Sequence, residues 1–209
     1  MRLILASSSP RRRQLLAEAG YAFEVCAPHD DAENVAGCGV CSRTGPAQTV
    51  LNLALRKAAD VVGRLAPDLT GPSVAWIVVA CDTVAECGGE ILGKPADRPH
   101  AAAMLRRLRG SVHRVYSGLC LWPSAHLPGD GMPLLRGAVS ELEMDAFDDE
   151  ELTRYLDTGL WQGKAGGFGL QDRPEWIRLR AGSASNVVGL PMELLADMLA
   201  DLQVSRSAP

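Results

Sequence analysis

The order of apolar and polar positions along the chain predicts short buried strands interleaved with amphipathic helices. Arg2 to Ala6 is an apolar run of strand length, and Ser9-Pro10 after it supplies a helix cap followed by the proline favoured at the first helical position. Leu15, Leu16 and Ala19 then recur at helical spacing before Gly20, so a helix is predicted over Pro10 to Ala19. Phe23 to Ala27 reads as a second strand, and Pro28 to Pro46, which contains Gly and Cys and shows no period, as a loop. From Pro46 to Gly63, Val50, Leu53, Ala54, Ala58, Val61 and Val62 share one helical face, and Lys57 falls on that same face. A lysine in a buried stripe either snorkels at its edge or meets an anion.

Val74 to Cys81 is apolar without alternation, as in a strand buried on both faces, and it is predicted to end at Asp82-Thr83. Ligand crevices in open α/β sheets lie beyond the carboxyl ends of such strands, which makes Asp82 a catalytic candidate; the alternative is an aspartate opening a turn. Further on, a helix is predicted over Pro99 to Arg109, with Gly110 as its stop. Strands follow at Val112 to Trp122 and Val139 to Phe147, separated by a connection from Pro123 to Pro133. Asp148 with Glu151 forms a capping-box pattern for a helix ending near Gly159, Trp176 to Ala181 reads as a strand, and Pro191 to Leu202 as a last amphipathic helix.

At 209 residues the chain has the length of one domain, or of one domain with two lobes. Its 47% apolar and 22% charged residues exclude fibrous and disordered classes. With 21 Lys and Arg against 25 Asp and Glu, the net charge of -4 gives no long-range attraction for nucleic acid or an acidic membrane, so a polyanionic ligand needs a local basic cluster. The run from Val74 to Cys81 is too short to span a bilayer, and the N-terminal residues lack the long apolar region of a signal peptide; a cytoplasmic protein is expected.

Six cysteines in a chain of this size do not make a disulfide scaffold. Cys26-x-x-His29 and Cys38-x-x-Cys41 nevertheless have the spacing of four zinc ligands in two close pairs; the alternative is a loop that happens to contain thiols. Gly88 to Lys94 matches the first seven positions of a phosphate-binding P-loop, but Pro95 stands where the magnesium-binding hydroxyl belongs, so that mechanism fails. A hairpin turning at Gly88-Gly89 and delivering Lys94 just beyond it explains the segment better.

Ser7-Ser8-Ser9-Pro10-Arg11-Arg12-Arg13 places hydroxyls and guanidinium groups between a strand and a helix N-terminus, where backbone donors favour an anion. Lys57, Lys94 and the segment Gly163 to Gln171 add further cations and a pliable backbone, as a polyphosphate ligand requires.

Taken in order, Leu5-Ala6-Ser7-x-Ser9-Pro10-Arg11-Arg12, Leu53-Ala54-x-x-Lys57-Ala58, Asp82-Thr83-Val84, Gly93-Lys94-Pro95, Met104-Leu105-Arg106-Arg107-Leu108-x-Gly110, Lys164 to Gln171 and Val187-Val188-Gly189-Leu190-Pro191 resemble the Maf family over nearly the whole chain. The resemblance implies an α/β fold of the Maf/ITPase-like kind, a mixed sheet flanked by helices with two lobes around a central cleft. Residues 1–209 would form that single domain, with 205–209 as a frayed tail. It implies an enzyme that hydrolyses a small-molecule nucleoside triphosphate to monophosphate and pyrophosphate with a divalent cation, Mg2+ or Mn2+, often as a homodimer, and with neither nucleic acid nor membrane as partner.

By the same resemblance Asp82 is the proton acceptor for the attacking water, and Ser7, Ser9, Arg11, Arg12, Lys57, Lys94 and Lys164 surround the triphosphate. Arg11, Thr83 and Gln171 match the branch acting on dTTP and UTP, whereas the branch acting on 7-methyl-GTP differs at all three. The metal would be held by Asp82 and by Glu33, which stands one residue later than the acidic pair usual in the family; a structural Zn2+ on Cys26, His29, Cys38 and Cys41 is a separate expectation. A non-catalytic, nucleotide-binding regulator of septum formation is the competing class.

Overall fold

The computed structural model describes residues 1–29, 45–65 and 75–204. The chain runs β1 (Arg2–Leu5), α1 (Pro10–Glu18), β2 (Glu24–Val25), α2 (Pro46–Leu65), β3 (Trp76–Cys87), β4 (Glu90–Leu92), α3 (Arg98–Leu108), β5 (Val112–Pro123), β6 (Leu134–Met144), α4 (Asp149–Asp157), β7 (Ile177–Ala181), α5 (Ala184–Val188) and α6 (Met192–Asp201). One mixed sheet has the order β2-β1-β3-β5-β6-β7, with β4 added to β3. β1 is parallel to β2 and β3; the pairs from β3 onward are antiparallel.

The central strands are covered on both faces, which explains their unbroken apolar sequence. Leu3, Leu5, Ile77, Val79, Cys81, Leu119 and Leu121 pack with Leu16 of α1 and with Leu195, Met198 and Leu199 of α6. The residues of opposite parity, Ile4, Ala6, Val78, Ala80 and Cys120, pack with Ala54, Ala58 and Val61 of α2. A third core joins the far ends of β3, β5 and β6 to α3 and α4 around Leu105, Leu142, Tyr155 and Trp176. Asp148 and Glu151 form the predicted capping box at the start of α4.

One prediction from the apolar pattern needs correction. β3 does not end at Asp82: it continues to Cys87, with Thr83, Val84 and Ala85 paired to Ser117, Tyr116 and Val115 of β5. What ends near Asp82 is the neighbour on the other edge. β1 pairs with β3 only as far as Val79, and β4 begins pairing at Ala85, so the stretch between them has one edge without a strand partner among the described residues. The polar pair Asp82-Thr83 therefore marks a gap in the sheet rather than the end of a strand. Ser7 lies just past the end of β1, and Lys94 just past the end of β4, so the gap is bounded by the two segments singled out for phosphate binding. The hairpin that delivers Lys94 turns at Gly88 and Gly89 with φ of 59° and 83°, a conformation that favours glycine at both positions. β6 begins at Leu134, earlier than predicted, because its first residues are exposed and lack an alternating pattern.

Candidate active site

The gap opens into a cleft of about 340 Å³, within the usual range for small-molecule sites. It gathers Ser7, Ser9, Arg11 and Arg12 from the β1–α1 turn, Lys57 from α2, Asp82 and Thr83 from β3, and Lys94 from beyond β4. Lys164 and Gln171 of the loop after α4 complete the wall. Every candidate site residue within the described residues, Cys26 and His29 aside, thus borders one cavity. Glu33, Cys38 and Cys41 lie outside the described residues, as does the tail 205–209.

At its centre Lys57 Nζ donates to Asp82 Oδ1 at 2.6 Å, with side-chain exposures of 4% and 15%. Lys57 in the apolar stripe therefore meets a carboxylate rather than snorkelling to water. The contact follows from packing. Asp82 pairs with Gly118 on β5, and α2 crosses that point so closely that a Cβ on Gly118 would stand 2.3 Å from Val50 O. Two helical turns beyond Val50, on the same face of α2, comes Lys57. Among the described residues Asp82 Oδ2 accepts no hydrogen bond, which leaves one oxygen of this carboxylate able to take a proton.

Thr83, of opposite parity, points to the other face of the sheet. Its Oγ1 lies 2.9 Å from Ser117 Oγ and 3.3 Å from Gly189 O, and it accepts from Arg12 at 3.3 Å. Arg12, only 9% exposed, also donates to Gly189 O at 2.7 Å and to Ser7 Oγ at 3.3 Å. This guanidinium ties the β1–α1 turn, β3 and the Gly189 turn together around the gap. Arg11 reaches across the cleft to Gly163 O at 3.1 Å. Burial and the neighbouring Arg12 lower its pKa, and Asp172 opposes the shift; an arginine remains charged under such conditions and is a desolvated cation. Ser9 stands at the N-cap of α1 but its side chain makes no capping bond, so the first-turn N–H groups are left open to an anion.

Two polar residues of the cleft escaped the sequence reading. Asp172 holds Lys164 in an ion pair at 2.5 Å; its only sequence signal was adjacency to Gln171. His113 on β5 is 5% exposed, and its Nδ1 has no hydrogen-bond partner among the described residues. Burial pushes its pKa down to about 4. Elsewhere, His29 Nδ1 lies 2.7 Å from Asp60 Oδ1, and Cys26 packs against the α2 face. Among the described residues no three His, Cys, Asp or Glu side chains gather as a metal site. Among the described residues of the cleft the donor open to a hard divalent cation is Asp82 Oδ2, since the oxygens of Asp172 are engaged by protein donors. One carboxylate completed by phosphate oxygens and water is how Mg2+ is commonly bound, so these residues fit such an ion in the presence of a polyphosphate.

Fold and cleft thus define an α/β protein whose gapped mixed sheet encloses a lysine–aspartate pair within a wall rich in cations and hydroxyls. Residues 2–202 match the Maf-like protein family, and the chain belongs to it. A dTTP/UTP pyrophosphatase of Rhodopirellula baltica is 47% identical over 202 residues, covering 96% of this chain and 82% of the relative. A protein of the same name from Pelotomaculum thermopropionicum is 39% identical over 198 residues, 94% of either chain. Another, from Thermococcus gammatolerans, is 37% identical over 197 residues, 92% of either chain. Among solved structures, a nucleoside-triphosphatase / dITP/XTP pyrophosphatase from Mycobacterium abscessus aligns over 97% of both chains at 13% identity with a TM-score of 0.40. No described helix is long and apolar enough to cross a membrane.

Proposed function

We propose that this chain hydrolyses nucleoside triphosphates to the monophosphate and pyrophosphate, prefers dTTP and UTP, and clears these and modified pyrimidine triphosphates from the nucleotide pool of the cytoplasm. The whole chain acts as one unit, with the cleft between its two lobes. The observation that carries the reading is the Lys57–Asp82 pair at the sheet gap, surrounded by hydroxyls and cations and, among the described residues, with Asp82 Oδ2 open. The names of the relatives at 37–47% identity support the substrate class.

In the proposed reaction, water adds to the α-phosphorus while the bond from that phosphorus to the α,β-bridging oxygen breaks. The electron pair leaves with pyrophosphate, and the water's proton passes to Asp82 Oδ2. Lys57 holds the carboxylate in place from its other oxygen. Arg11, Lys94 and the open N-terminus of α1 neutralise charge on the phosphate oxygens, interactions that strengthen as charge builds in the transition state. The Asp82 carboxylate and the substrate's own phosphates would hold a divalent cation, which would supply further neutralisation of that charge, the proton going to the Oδ2 lone pair that the ion leaves open. Ser7 and Thr83 act by orienting Arg12 through the bonds described above. Arg11, Thr83 and Gln171 set the preference among bases, and Gln171 is the exposed member that can present an amide to a base edge.

The test is turnover of dTTP, UTP, CTP, GTP and 7-methyl-GTP with Mg2+ or Mn2+, following monophosphate and pyrophosphate separately. Equal yields of both products, fastest with dTTP and UTP, are expected. A preference for 7-methyl-GTP would overturn the specificity, and binding without turnover would favour a regulator.

A further inference from the structure

The loop from Gly163 to Gln171 is closed by a pair of opposite charges. Lys164 Nζ lies 2.5 Å from each oxygen of Asp172, and the two side chains are 12% and 9% exposed. Asp172 Oδ2 also accepts from the Tyr155 hydroxyl at 2.7 Å and from the Gly169 N–H at 3.0 Å. Tyr155 is fully buried in α4, and its hydroxyl reaches Gly167 O at 3.2 Å as well. Gly169 lies close against the pair: a Cβ there would stand 3.0 Å from Asp172 Oδ2 and 3.2 Å from Lys164 Nζ, so either side chain would have to shift by a few tenths of an ångström to admit one. The start of the loop is tied down separately, by Arg11 on Gly163 O and by the Gly166 N–H on Gly93 O at 3.0 Å.

The two carboxylates of the cleft are therefore built differently. Among the described residues Asp82 keeps one oxygen open, whereas Asp172 meets a cation, a phenol and a backbone amide. Lys164, held on both oxygens of a buried carboxylate, brings little net charge to the cleft. Its removal would leave that carboxylate uncompensated, and removal of Asp172 would release the loop's C-terminal end, where Gln171 is the next residue.

We propose that Asp172 is a positioning residue: through Lys164 and Tyr155 it staples the loop shut and holds Gln171 against the cleft, and Lys164 serves as its counter-ion instead of as a phosphate ligand. The role given to Gln171 rests on the triphosphate pyrophosphatase reading above, while the staple itself does not.

Full-length Asp172→Asn, Lys164→Met and the double variant test this with two readouts. The first needs no substrate: amide hydrogen exchange of residues 163–172 accelerates by about tenfold or more in both single variants, with α2 and β3 unchanged. The second is steady-state kinetics. Both single variants raise KM for UTP by about tenfold and shrink the preference for UTP over GTP, the effect on kcat is the smaller one, and the double variant is no worse than the worse single one. A role in overall stability alone would lower activity on both nucleotides alike and leave their ratio intact, which would overturn the proposal. So would a large rise in KM in Lys164→Met beside an unchanged or lowered KM in Asp172→Asn, the signature of a phosphate-binding lysine freed from a competitor. If the wild-type protein turns over no triphosphate, the function above fails while the exchange readout still decides the staple: faster exchange supports it and unchanged exchange overturns it.

Discussion

Gly118 stands directly across the β3–β5 ladder from Asp82, and its missing side chain is what lets α2 lie on the sheet and bring Lys57 to that carboxylate. Gly118→Ala would force a Cβ to within 2.3 Å of Val50 O, so helix or strand must move. We expect a loss of about 2–3 kcal/mol of stability, as for other overpacked cores, together with reduced turnover as Lys57 is displaced. Gly137, paired with Gly118 on the next strand, is the control: its Cβ would approach nothing closer than 3.7 Å. Urea unfolding and turnover of both variants check the contrast, and equal sensitivity of the two would contradict it.

Arg12 and Thr83 form a unit at the other face of the gap. Arg12→Lys cannot reproduce a guanidinium that contacts Gly189 O, Ser7 and Thr83 together, and Thr83→Val removes one of those acceptors. In a double-mutant cycle the two changes should be non-additive by about 1–2 kcal/mol in transition-state stabilisation, read as kcat/KM. Simple additivity would mean that Thr83 acts without Arg12.

His113 predicts a pH dependence of stability. Its pKa falls from 6.5 to about 4 in the folded chain because burial disfavours the charged ring. Between those values the unfolded chain binds a proton that the folded chain does not, so stability is full above pH 6.5 and is lost as pH falls toward 4. The shift corresponds to about 3 kcal/mol. His113→Leu should remove this part of the acid sensitivity, seen as a smaller drop in urea midpoint between pH 7 and pH 4.5. An unchanged drop would assign the acid sensitivity to other groups.

Much of this arrangement is legible in the sequence because local chemistry and tertiary role coincide. Lys57 stands out as a cation in an apolar stripe, Gly88-Gly89 as a hairpin turn, and Asp148 with Glu151 as a cap; each is set by its immediate neighbours. Asp82 stands out too, but for a different physical reason from the one its position suggests. A polar pair after an apolar run reads as a strand end, yet here β3 continues and it is the neighbouring strand that stops. Strand pairing is non-local, so no window around Asp82 contains that information. The same holds for Asp172, which meets Lys164, Tyr155 and Gly169 only through the folding of the loop, and for His113, whose buried nitrogen becomes evident only once its surroundings are assembled. Cys81, next to Asp82 in sequence, points to the opposite face of the sheet, where its buried thiol, raised in pKa by burial, donates to Gly189 O at 3.3 Å.

Lys57→Met separates the positioning of Asp82 from the chemistry it performs. The methionine fills the apolar stripe but leaves the carboxylate without its 2.6 Å donor. Turnover should fall by about 100-fold, and far-ultraviolet circular dichroism should stay native. Turnover within a few-fold of wild type would show that Asp82 is held by other means.

Asp82→Asn keeps the shape of the side chain and the surrounding cations while removing the proton acceptor. Pyrophosphate release from UTP should fall by about 10³-fold, while equilibrium binding of a non-hydrolysable UTP analogue in the absence of metal stays within a few-fold of wild type. Turnover comparable to wild type would show that the carboxylate at the sheet gap is not the base of the reaction.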